Sequence, residues 1–539
     1  DIKIKLNIYA MDLKTPQHKH RHSFQLVKPT LTVIGGNDMR RNHYYLGLDQ
    51  GTTGTTALLL NESWDQIARG HAEIHQSYPK AGWVEHDPVE LYDSLIEAAA
   101  QALRSVGANA QEIRCIGLDN QGETIVVWDK HSGQPVYPAI VWQDRRTAEE
   151  VDRLNKQYGP IFQESTGLKL DSYFGATKIR WILQNVPLAR ELLAQHRLAA
   201  GTTDTWMIWK LTNGREFVTD CVTAGRTCLM NLEHRKWDEQ LLSILEIPRE
   251  ILPEIRENAC PFGCTSPETF LDAEIPITAS IADQQAALLG QACCTPGSVK
   301  TTYGTGCFML MNTGSKPFPV QNGLLSTLAW VEHGQASYAL DGGIYIAGAA
   351  VQWLRDGLGI IQSAAQADAM ALSVPDNGGI SFVPAFSGLA APHWDSYARG
   401  TITGITAGVK AEHLARATLE AEAYQVRDIL ELLEQSTGMH ISSMRVDGGG
   451  TASRFLMQFQ ADLLGIPVEI PVIQETTALG SAYLAALGLG DLSHIGETAE
   501  LWRCHKRYEP NMSEDCRSAL MDQWHRAVER SLGWITPNS

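Results

Sequence analysis

The chain has 539 residues, which is enough for two large domains because a single hydrophobic core stops growing at roughly 250 to 300 residues. With 44% hydrophobic residues, no apolar run long enough to span a membrane and a formal net charge of -17, it is expected to bind neither nucleic acids nor membranes. Its ten cysteines lack the spacing of a disulfide framework or a zinc site, so we expect reduced thiols in a cytoplasmic protein.

Residues 1–38 differ in character from the rest of the chain. They contain a run of basic residues and histidines at 18–22 with no apolar periodicity around it. We predict that they form a leader or a cloning-derived extension that is disordered, with a metal-binding tract as the alternative.

The first predicted elements are two strands joined by a tight turn. The first strand ends in Asp49, and the turn at 51–54 consists only of glycine and threonine. Backbone N–H groups and threonine hydroxyls in such a turn can form a nest for an anion, and a carboxylate beside it can hold a hydrated divalent cation. A surface hairpin without a ligand is the alternative.

The next elements end repeatedly in polar residues. A helix is predicted over 88–105, and the apolar strand that follows it runs into Asp119 and Glu123. Another strand ends at Trp142. Because ligands in open α/β sheets lie beyond the carboxyl ends of the strands, we expect Asp49, Glu123 and Trp142 to line one cleft.

Asp283 follows the apolar strand predicted at 275–282 and begins a helix. A carboxylate held at such a point can act as a general base in catalysis. It can also cap the helix without any catalytic role, and the two roles are compatible.

The plan of the first hairpin recurs at 298–311 as a strand, a Gly/Thr turn and a second strand. The two turns begin at Gly51 and Gly304, about one domain's length apart. This separation indicates an internal duplication, with two α/β domains facing each other across a cleft. A chance similarity of two glycine turns is the alternative.

A third glycine turn follows the strand predicted at 444–447 and precedes a helix. Glycine permits the close approach of a ligand to the backbone, and a helix N-terminus favours anions. Three such turns in one chain make a nucleotide the simplest common ligand.

Seven segments are long and specific: DQGTTG at 49–54, GWVEHDP at 82–88, NQGE at 120–123, VWQDRRT at 141–147, ADQQAAL at 282–288, YGTGCFMLMNTG at 303–314 and VDGGG at 446–450. Together they resemble the FGGY family of carbohydrate kinases, most nearly its glycerol-phosphorylating members. The resemblance runs from about residue 45 to residue 487.

The resemblance implies an α/β fold of two actin-like, ribonuclease-H-like ATPase domains facing a central cleft. It places a domain with the acceptor and phosphate sites at 39–289 and a domain with the nucleotide site at 290–535. The implied reaction transfers the γ-phosphoryl group of ATP, with Mg²⁺, to a terminal hydroxyl of a small polyol. Glycerol, converted to glycerol 3-phosphate, is the first expectation. Relatives of this kind form dimers and tetramers, so we expect a homodimer or a homotetramer.

The resemblance also implies roles for single residues. Asp283 would be the general base that takes the proton from the attacking hydroxyl, and Asp49 would lie near the metal. The implied acceptor-binding residues are Glu123, Trp142, Tyr173, Asp283, Gln284 and Phe308. The implied nucleotide-binding residues are Gly51, Thr52, Thr53, Thr305, Gly348, Gln352, Gly449 and Ser453.

Four positions depart from the family's pattern. Gly122 stands where an arginine normally donates to the acceptor's hydroxyls, and Thr56 replaces an arginine that approaches the phosphates. Ser453 replaces an asparagine that meets the nucleotide, and Ala282 replaces a glycine before the base. We expect the change at Thr56 to weaken the binding of ATP.

The departure at Gly122 leaves several alternatives open. The acceptor can be a four-carbon polyol or a small ketose instead of glycerol, if the vacated volume admits it. The chain can also be a catalytically weakened regulatory homologue. A third alternative is that a nearby basic side chain, such as Arg145 or Arg146, takes the place of the missing arginine.

Overall fold

The computed structural model describes residues 43–319 and 323–536, which belong to one compact unit. The extension predicted at 1–38 lies outside the described residues. Among the helices described, none combines the length and the apolar character needed to cross a membrane.

The first half of the described chain contains a five-stranded sheet, a four-stranded sheet and two two-stranded sheets. Its strands are β1 (Tyr44–Gln50), β2 (Gly54–Leu60), β3 (Gln66–Glu73), β4 (Glu85–His86), β5 (Ile113–Asn120), β6 (Ile125–Asp129), β7 (Ala139–Ile140), β8 (Leu198–Thr202), β9 (Val218–Asp220), β10 (Met230–Asn231), β11 (Lys236–Trp237), β12 (Glu254–Arg256) and β13 (Ile277–Ala282). Its helices are α1 (Pro88–Val106), α2 (Ala148–Thr166), α3 (Gly175–Asn185), α4 (Pro187–Ala194), α5 (Thr203–Leu211), α6 (Cys221–Gly225), α7 (Glu239–Leu245) and α8 (Asp283–Gly290).

The second half of the described chain contains a seven-stranded sheet and a two-stranded sheet. Its strands are β14 (Val299–Tyr303), β15 (Cys307–Gly314), β16 (Leu325–Glu332), β17 (Gln335–Ile344), β18 (Ser381–Val383), β19 (Thr401–Thr403), β20 (Met444–Asp447), β21 (Val468–Pro471) and β22 (Cys504–Tyr508). Its helices are α9 (Gly348–Asp356), α10 (Ala364–Leu372), α11 (Ala411–Thr437), α12 (Arg454–Leu464), α13 (Thr476–Leu489), α14 (Thr498–Leu501) and α15 (Glu514–Ser531).

Helix α1 shows how local sequence sets these elements. The side chain of Asp87 accepts a hydrogen bond from the backbone N–H of Val89 at 2.8 Å, and Pro88 occupies the first turn, where its missing N–H costs nothing. The helix ends at Gly107, whose φ of 66° is the left-handed conformation that glycine adopts without strain. The helix predicted over 88–105 is confirmed.

The two large sheets share one topology. The first has the strand order β13-β5-β1-β2-β3, and the second contains the order β21-β20-β14-β15-β17 within its seven strands. In the first sheet, β1 forms an antiparallel hairpin with β2, which pairs with the antiparallel strand β3, and the other side of β1 is followed by the parallel strands β5 and β13. In the second sheet, β14, β15, β17, β20 and β21 occupy the corresponding positions with the same directions. The likeness extends far beyond two glycine turns, which supports duplication over chance similarity.

Parallel pairing of β13, β5 and β1 brings three aspartates to one edge of the first sheet. In this register Asp49 lies opposite Asp119, and Ala282 lies opposite Asn120. Asp283 follows directly after Ala282, so the strand order places Asp119 on the strand between the other two aspartates.

Helix α13 returns from the second half of the chain to pack on the first sheet. A Cβ added at Gly47 would lie 1.9 Å from the carbonyl oxygen of Ala478, and one at Gly117 would lie 2.0 Å from that of Ser481. Only glycine permits so close an approach of helix and strand. The apolar side chains of α13 belong to the core of the first half. The division of the chain after residue 289 stays a prediction.

Candidate active site

The turn between β1 and β2 is closed by a hydrogen bond from the backbone N–H of Gly51 to the carbonyl of Gly54 at 3.0 Å. The hydroxyl of Thr52 accepts a hydrogen bond from the indole Nε1 of Trp142 at 2.8 Å. Thr53 is exposed beside it. The turn is therefore open to an anion. The hydrogen bond connects it to Trp142, which follows β7 of the four-stranded sheet.

The carboxyl groups of Asp49 and Asp119 contact each other at the end of β1 and β5. Asp119 is only 1% exposed, and no hydrogen bond to either of its carboxylate oxygens meets normal geometry, although the Ser481 hydroxyl lies nearby. Burial raises the pKa of Asp49 to about 6, and burial together with Asp49 raises that of Asp119 well above its usual value. No motif assigned Asp119 to the site; its place on a strand parallel to β1 was the available signal.

Asp283 is the first residue of α8. Ala282 occupies the capping position, while the Asp283 carboxylate accepts a hydrogen bond from the backbone N–H of Gln284 at 2.6 Å. The interpretation of Asp283 as a helix cap is therefore wrong. Burial, followed by the charges of Glu123 and Asp49, raises the pKa of Asp283 to about 7. A carboxylate with such a pKa is suited to general-base catalysis near neutral pH.

Three aromatic rings from both halves meet beside Glu123. The ring of Trp142 lies edge-on to Tyr173 at 5.7 Å and to Phe308 at 6.3 Å between centroids. Phe308 belongs to β15 of the second half, whereas the other two belong to the first. Burial and then the nearby Glu123 raise the pKa of Tyr173 well above its usual value, so its hydroxyl keeps its proton. The arrangement offers apolar walls, a carboxylate and a phenol to one small ligand.

Arg226, which none of the family segments contains, fills the space beside Gly122. A Cβ added at Gly122 would lie 3.1 Å from the Cβ of Ala282 and 3.3 Å from the Cγ of Arg226. Nε of Arg226 donates to Oε1 of Glu123 at 2.6 Å, and Nη1 donates to Oδ2 of Asp341 at 3.1 Å. Gly122 and Ala282, two of the departures from the family's pattern, thus lie next to each other, and Arg226 packs against Gly122.

Arg145 and Arg146, the two candidates for the space beside Gly122, form ion pairs elsewhere. Arg145 pairs with Asp171 at 2.8 Å. Arg146 is buried and pairs with Glu85 and Asp144, each at 2.8 Å. The alternative that Arg145 or Arg146 takes the place of the missing arginine, left open by the sequence, is therefore not supported by the structure.

Two buried lysines hold neighbouring parts of the site. Nζ of Lys178 donates to the backbone carbonyls of Glu123 at 2.8 Å and Tyr173 at 2.7 Å, and burial lowers its pKa to about 7. Nζ of Lys300 donates to Oε1 of Gln284 at 2.6 Å. Neither lysine lies in a family segment, and both are recognisable only once the chain is folded.

A cavity of about 420 Å³ lies in the second half, within the size range of small-molecule sites. A Cβ at Gly348 would lie 2.6 Å from the carbonyl oxygen of Gly304, so the start of α9 presses on the second glycine turn at the cavity wall. All five residues of this half that were assigned to nucleotide binding line the cavity: Thr305, Gly348, Gln352, Gly449 and Ser453.

Two of the departures have local structural roles. The hydroxyl of Ser453 accepts a hydrogen bond from the backbone N–H of Leu456 at 3.0 Å, which caps α12, and it also binds Asp368. Thr56 is 6% exposed and bonds through its hydroxyl to Nδ1 of His71 at 3.1 Å. The effect of Thr56 on ATP affinity stays a prediction.

A metal ion at this site would need ligands beyond the protein. Within 43–319 and 323–536, no three His, Cys, Asp or Glu side chains are grouped so that they could hold one. Asp49 and Asp119 nevertheless offer carboxylate oxygens, and both oxygens of Asp119 lack a hydrogen bond of normal geometry. Mg²⁺ prefers such oxygen ligands and usually takes the rest from water and phosphate, so the donor set fits this ion.

Family models match most of the described chain, as far as residue 489. The model described as the FGGY family of carbohydrate kinases, N-terminal domain, matches residues 44–290, and the corresponding C-terminal domain matches residues 299–489. Among curated proteins, glycerol kinase 2 of Thermotoga maritima is 51% identical over 492 residues, which cover 91% of this chain and 99% of that protein. Glycerol kinase of Caldanaerobacter subterraneus subsp. tengcongensis is 50% identical with the same coverage.

Solved structures give the same result. The crystal structure of Plasmodium falciparum glycerol kinase with ADP superposes with a TM-score of 0.83 at 34% sequence identity. The superposition covers 91% of this chain and 98% of that one.

Proposed function

The chain belongs to the FGGY family of carbohydrate kinases, with the actin-like ATPase fold in two α/β domains, and we propose that it transfers the γ-phosphoryl group of ATP to glycerol. The products are glycerol 3-phosphate and ADP. Relatives named glycerol kinase, about half identical over nearly their full length, support this acceptor.

The observation that carries the proposal is the environment of Asp283. It stands at the start of α8, where burial, followed by the nearby charges of Glu123 and Asp49, raises its pKa to about 7. Glu123 belongs to the aromatic pocket, and Asp49 precedes the glycine turn that suits a phosphate. A base in this position lies between an acceptor and a phosphate, which is the arrangement that phosphoryl transfer needs.

The acceptor pocket is suited to a short polyol. Glu123 accepts and Tyr173 donates hydrogen bonds, so together they can hold two hydroxyls of a glycerol molecule. Trp142 and Phe308 offer apolar faces to its carbon chain. Gln284, fixed by Lys300, stands beside the base and is assigned to the same pocket.

In the proposed reaction, Asp283 accepts the proton of the terminal hydroxyl as its oxygen forms a bond to the γ-phosphorus. The bond from the γ-phosphorus to the bridging oxygen breaks, and ADP leaves with the electron pair. The proton remains on the Asp283 carboxyl until it passes to solvent. Because the transition state is loose, positioning and charge stabilisation supply most of the catalysis.

The phosphates of ATP are proposed to lie between the two glycine turns. Gly51, Thr52 and Thr53 face them from the first half, and Thr305 from the second, while Gly348, Gln352, Gly449 and Ser453 hold the nucleoside end in the 420 Å³ cavity. Asp49 would hold Mg²⁺, with Asp119 behind it. When bound, this ion neutralises and orients phosphate oxygens.

Glycerol is favoured over a larger acceptor by the packing at Gly122. The side chains of Ala282 and Arg226 lie 3.1 Å and 3.3 Å from the Cβ position there, so the space directly beside Gly122 is occupied. A catalytically weakened homologue is disfavoured because Asp49, Glu123 and Asp283 are all present.

The test is ADP release measured with glycerol, erythritol and dihydroxyacetone as acceptors, at equal concentrations with Mg²⁺ and ATP. We expect the highest kcat/KM with glycerol. Turnover of the tetritol or the ketose without turnover of glycerol would contradict the proposed acceptor, and failure with every acceptor would favour the regulatory alternative.

Cytoplasmic location and assembly into a homodimer or homotetramer are also proposed. All ten cysteines are free thiols, as expected in a reducing compartment. Light scattering after size-exclusion chromatography tests the assembly, and a monomer at micromolar concentration would contradict it.

A further inference from the structure

Arg226 is mounted rigidly at the end of the short helix α6. The carboxylate of Asp220 accepts hydrogen bonds from the backbone N–H groups of Val222 at 2.8 Å and Thr223 at 2.9 Å at the start of this helix. The backbone N–H of Arg226 in turn donates to the carbonyl of Thr223 at 3.0 Å. The arginine side chain is only 3% exposed, so its position is set by packing as well as by charge.

The guanidinium contacts three polar groups from both halves of the chain. Its ion pair with Glu123 is 2.6 Å long, and its ion pair with Asp341 is 3.1 Å long. Nη2 lies 3.5 Å from the hydroxyl of Tyr173, and Cζ lies 5.7 Å from the centroid of the same ring. Glu123 and Tyr173 belong to the first half, whereas Asp341 lies on β17 of the second.

We infer that Arg226 is the positioning residue of the acceptor pocket: it orients Glu123 and Tyr173 and ties them to Asp341 across the cleft. This inference rests on the proposed function, because Glu123 and Tyr173 are the groups assigned to the acceptor's hydroxyls. In this arrangement Glu123, Tyr173 and Asp341 all contact the guanidinium of Arg226, and the acceptor pocket needs all three contacts.

The small residue at position 122 is part of this arrangement. A Cβ there would lie 3.3 Å from Cγ and 3.4 Å from Cβ of Arg226, closer than ordinary contact. Any side chain larger than hydrogen therefore presses on the stem of Arg226. Glycine at 122 leaves the arginine free to reach Glu123.

Lysine cannot reproduce these contacts. The guanidinium presents five N–H donors in a planar fork and can serve several fixed acceptors at once, whereas an ammonium is a point charge on a flexible stem. Replacement by lysine keeps the positive charge between the two buried carboxylates, so the variant separates orientation from charge balance.

The first experiment compares Arg226→Lys with the wild type. The dissociation constant of glycerol is measured by calorimetry without ATP, and KM and kcat are measured for glycerol and for ATP. We expect the dissociation constant and KM for glycerol to rise about tenfold, with KM for ATP changed less than about twofold. Equal binding of glycerol by both proteins would overturn the inference.

A matched control is Arg180→Lys. Arg180 is also nearly buried and ion-paired, to Glu150 at 2.7 Å and Glu246 at 3.3 Å, but it lines neither the acceptor pocket nor the nucleotide cavity. We expect this variant to bind glycerol like the wild type. A similar loss in both variants would show a general effect of arginine replacement and overturn the inference.

The tie across the cleft is tested with Asp341→Asn and the double variant Arg226→Lys, Asp341→Asn. If both residues act through one ion pair, the double variant loses less glycerol affinity than the product of the two single effects. If the double variant instead loses glycerol affinity by the full product of the two single effects, the proposed coupling between Arg226 and Asp341 is wrong.

Gly122→Ala gives an independent test, because it adds only the Cβ that meets Arg226. We expect weaker glycerol binding, by about two- to fivefold, and little change in KM for ATP. Unchanged glycerol binding in this variant would contradict the role of position 122. Binding by calorimetry tests these points even if glycerol proves not to be phosphorylated, so failure of the inference and failure of the proposed function are distinguishable.

Discussion

The indole N–H of Trp142 donates a hydrogen bond to the hydroxyl of Thr52 at 2.8 Å, which joins a wall of the acceptor pocket to the glycine turn. This hydrogen bond therefore connects Trp142, which is assigned to glycerol, with Thr52, which is assigned to the phosphates of ATP. A change in Trp142 is expected to affect both, although only Thr52 is assigned to phosphate.

Trp142→Phe removes this donor and keeps an aromatic wall. A single hydrogen bond is worth about 0.5 to 1.5 kcal/mol, so we expect KM for ATP to rise about two- to twelvefold in steady-state kinetics. Trp237→Phe is the control, because Trp237 also donates at 2.8 Å, to the carbonyl of Pro253, and lines neither the acceptor pocket nor the nucleotide cavity. An unchanged KM for ATP in Trp142→Phe would show that Thr52 needs no such support.

The pH dependence of catalysis is expected to follow Asp283. Its pKa is raised to about 7, chiefly by burial, and a general base acts only when deprotonated. As pH falls below 7 the carboxyl becomes protonated, so log kcat/KM should fall with a slope approaching one per pH unit. Above pH 8 the rate should reach a plateau. A profile flat from pH 5 to pH 8 would be inconsistent with Asp283 as the base.

Asp283→Asn supplies the control for that profile. General-base catalysis typically contributes about 10²- to 10⁴-fold, so kcat should fall by that factor, and the remaining rate should lose its dependence on pH near 7. Binding of glycerol, measured without ATP, should change far less than kcat. Full activity in this variant would place the base elsewhere.

The hairpins and the helix α1 are predictable because their signals are local. Gly and Thr mark the two turns, Asp87 and Pro88 mark a helix start, and strands ending in Asp49 and Asp283 point to one sheet edge. The shared topology of the two sheets follows from these repeated signals, although pairing partners had to come from the folded chain.

Arg226, Lys178 and Asp119 could not be assigned from sequence because their roles depend on long-range contacts. Arg226 reaches Glu123 across more than a hundred positions of the chain, and Lys178 binds backbone carbonyls, which every residue has. Arg145 and Arg146 were the nearer arginines in sequence. Their carboxylate partners hold them elsewhere, and those partners are visible only in the fold.

Lys178 should stabilise the fold through the two carbonyls that it binds. Lys178→Met leaves the carbonyls of Glu123 and Tyr173 without this donor, and each unsatisfied buried group costs about 1 to 3 kcal/mol. The saved cost of burying the ammonium offsets part of that loss, so we expect the free energy of unfolding in urea to fall by about 2 to 4 kcal/mol.

The control for this prediction is Lys130→Met. Nζ of Lys130 donates to one carbonyl, that of Glu250, at 3.2 Å and at a more exposed place. Its replacement should cost less than about 1 kcal/mol, since solvent can satisfy the carbonyl. Equal losses in the two variants would show that burial of the Lys178 contacts adds nothing.

Ser453 has two roles that a pair of variants can separate. Its hydroxyl caps α12 and lines the proposed nucleotide cavity, whereas the hydroxyl of Ser513 caps α15 and does not line that cavity. Loss of either cap is expected to lower the free energy of unfolding by about 1 kcal/mol. Ser453→Ala also loses the hydrogen bond to Asp368, so it should be at least as destabilised as Ser513→Ala. Only Ser453→Ala should raise KM for ATP, by about two- to tenfold for one lost hydrogen bond. If both variants keep the wild-type KM while losing stability, Ser453 caps the helix and takes no part in binding the nucleotide.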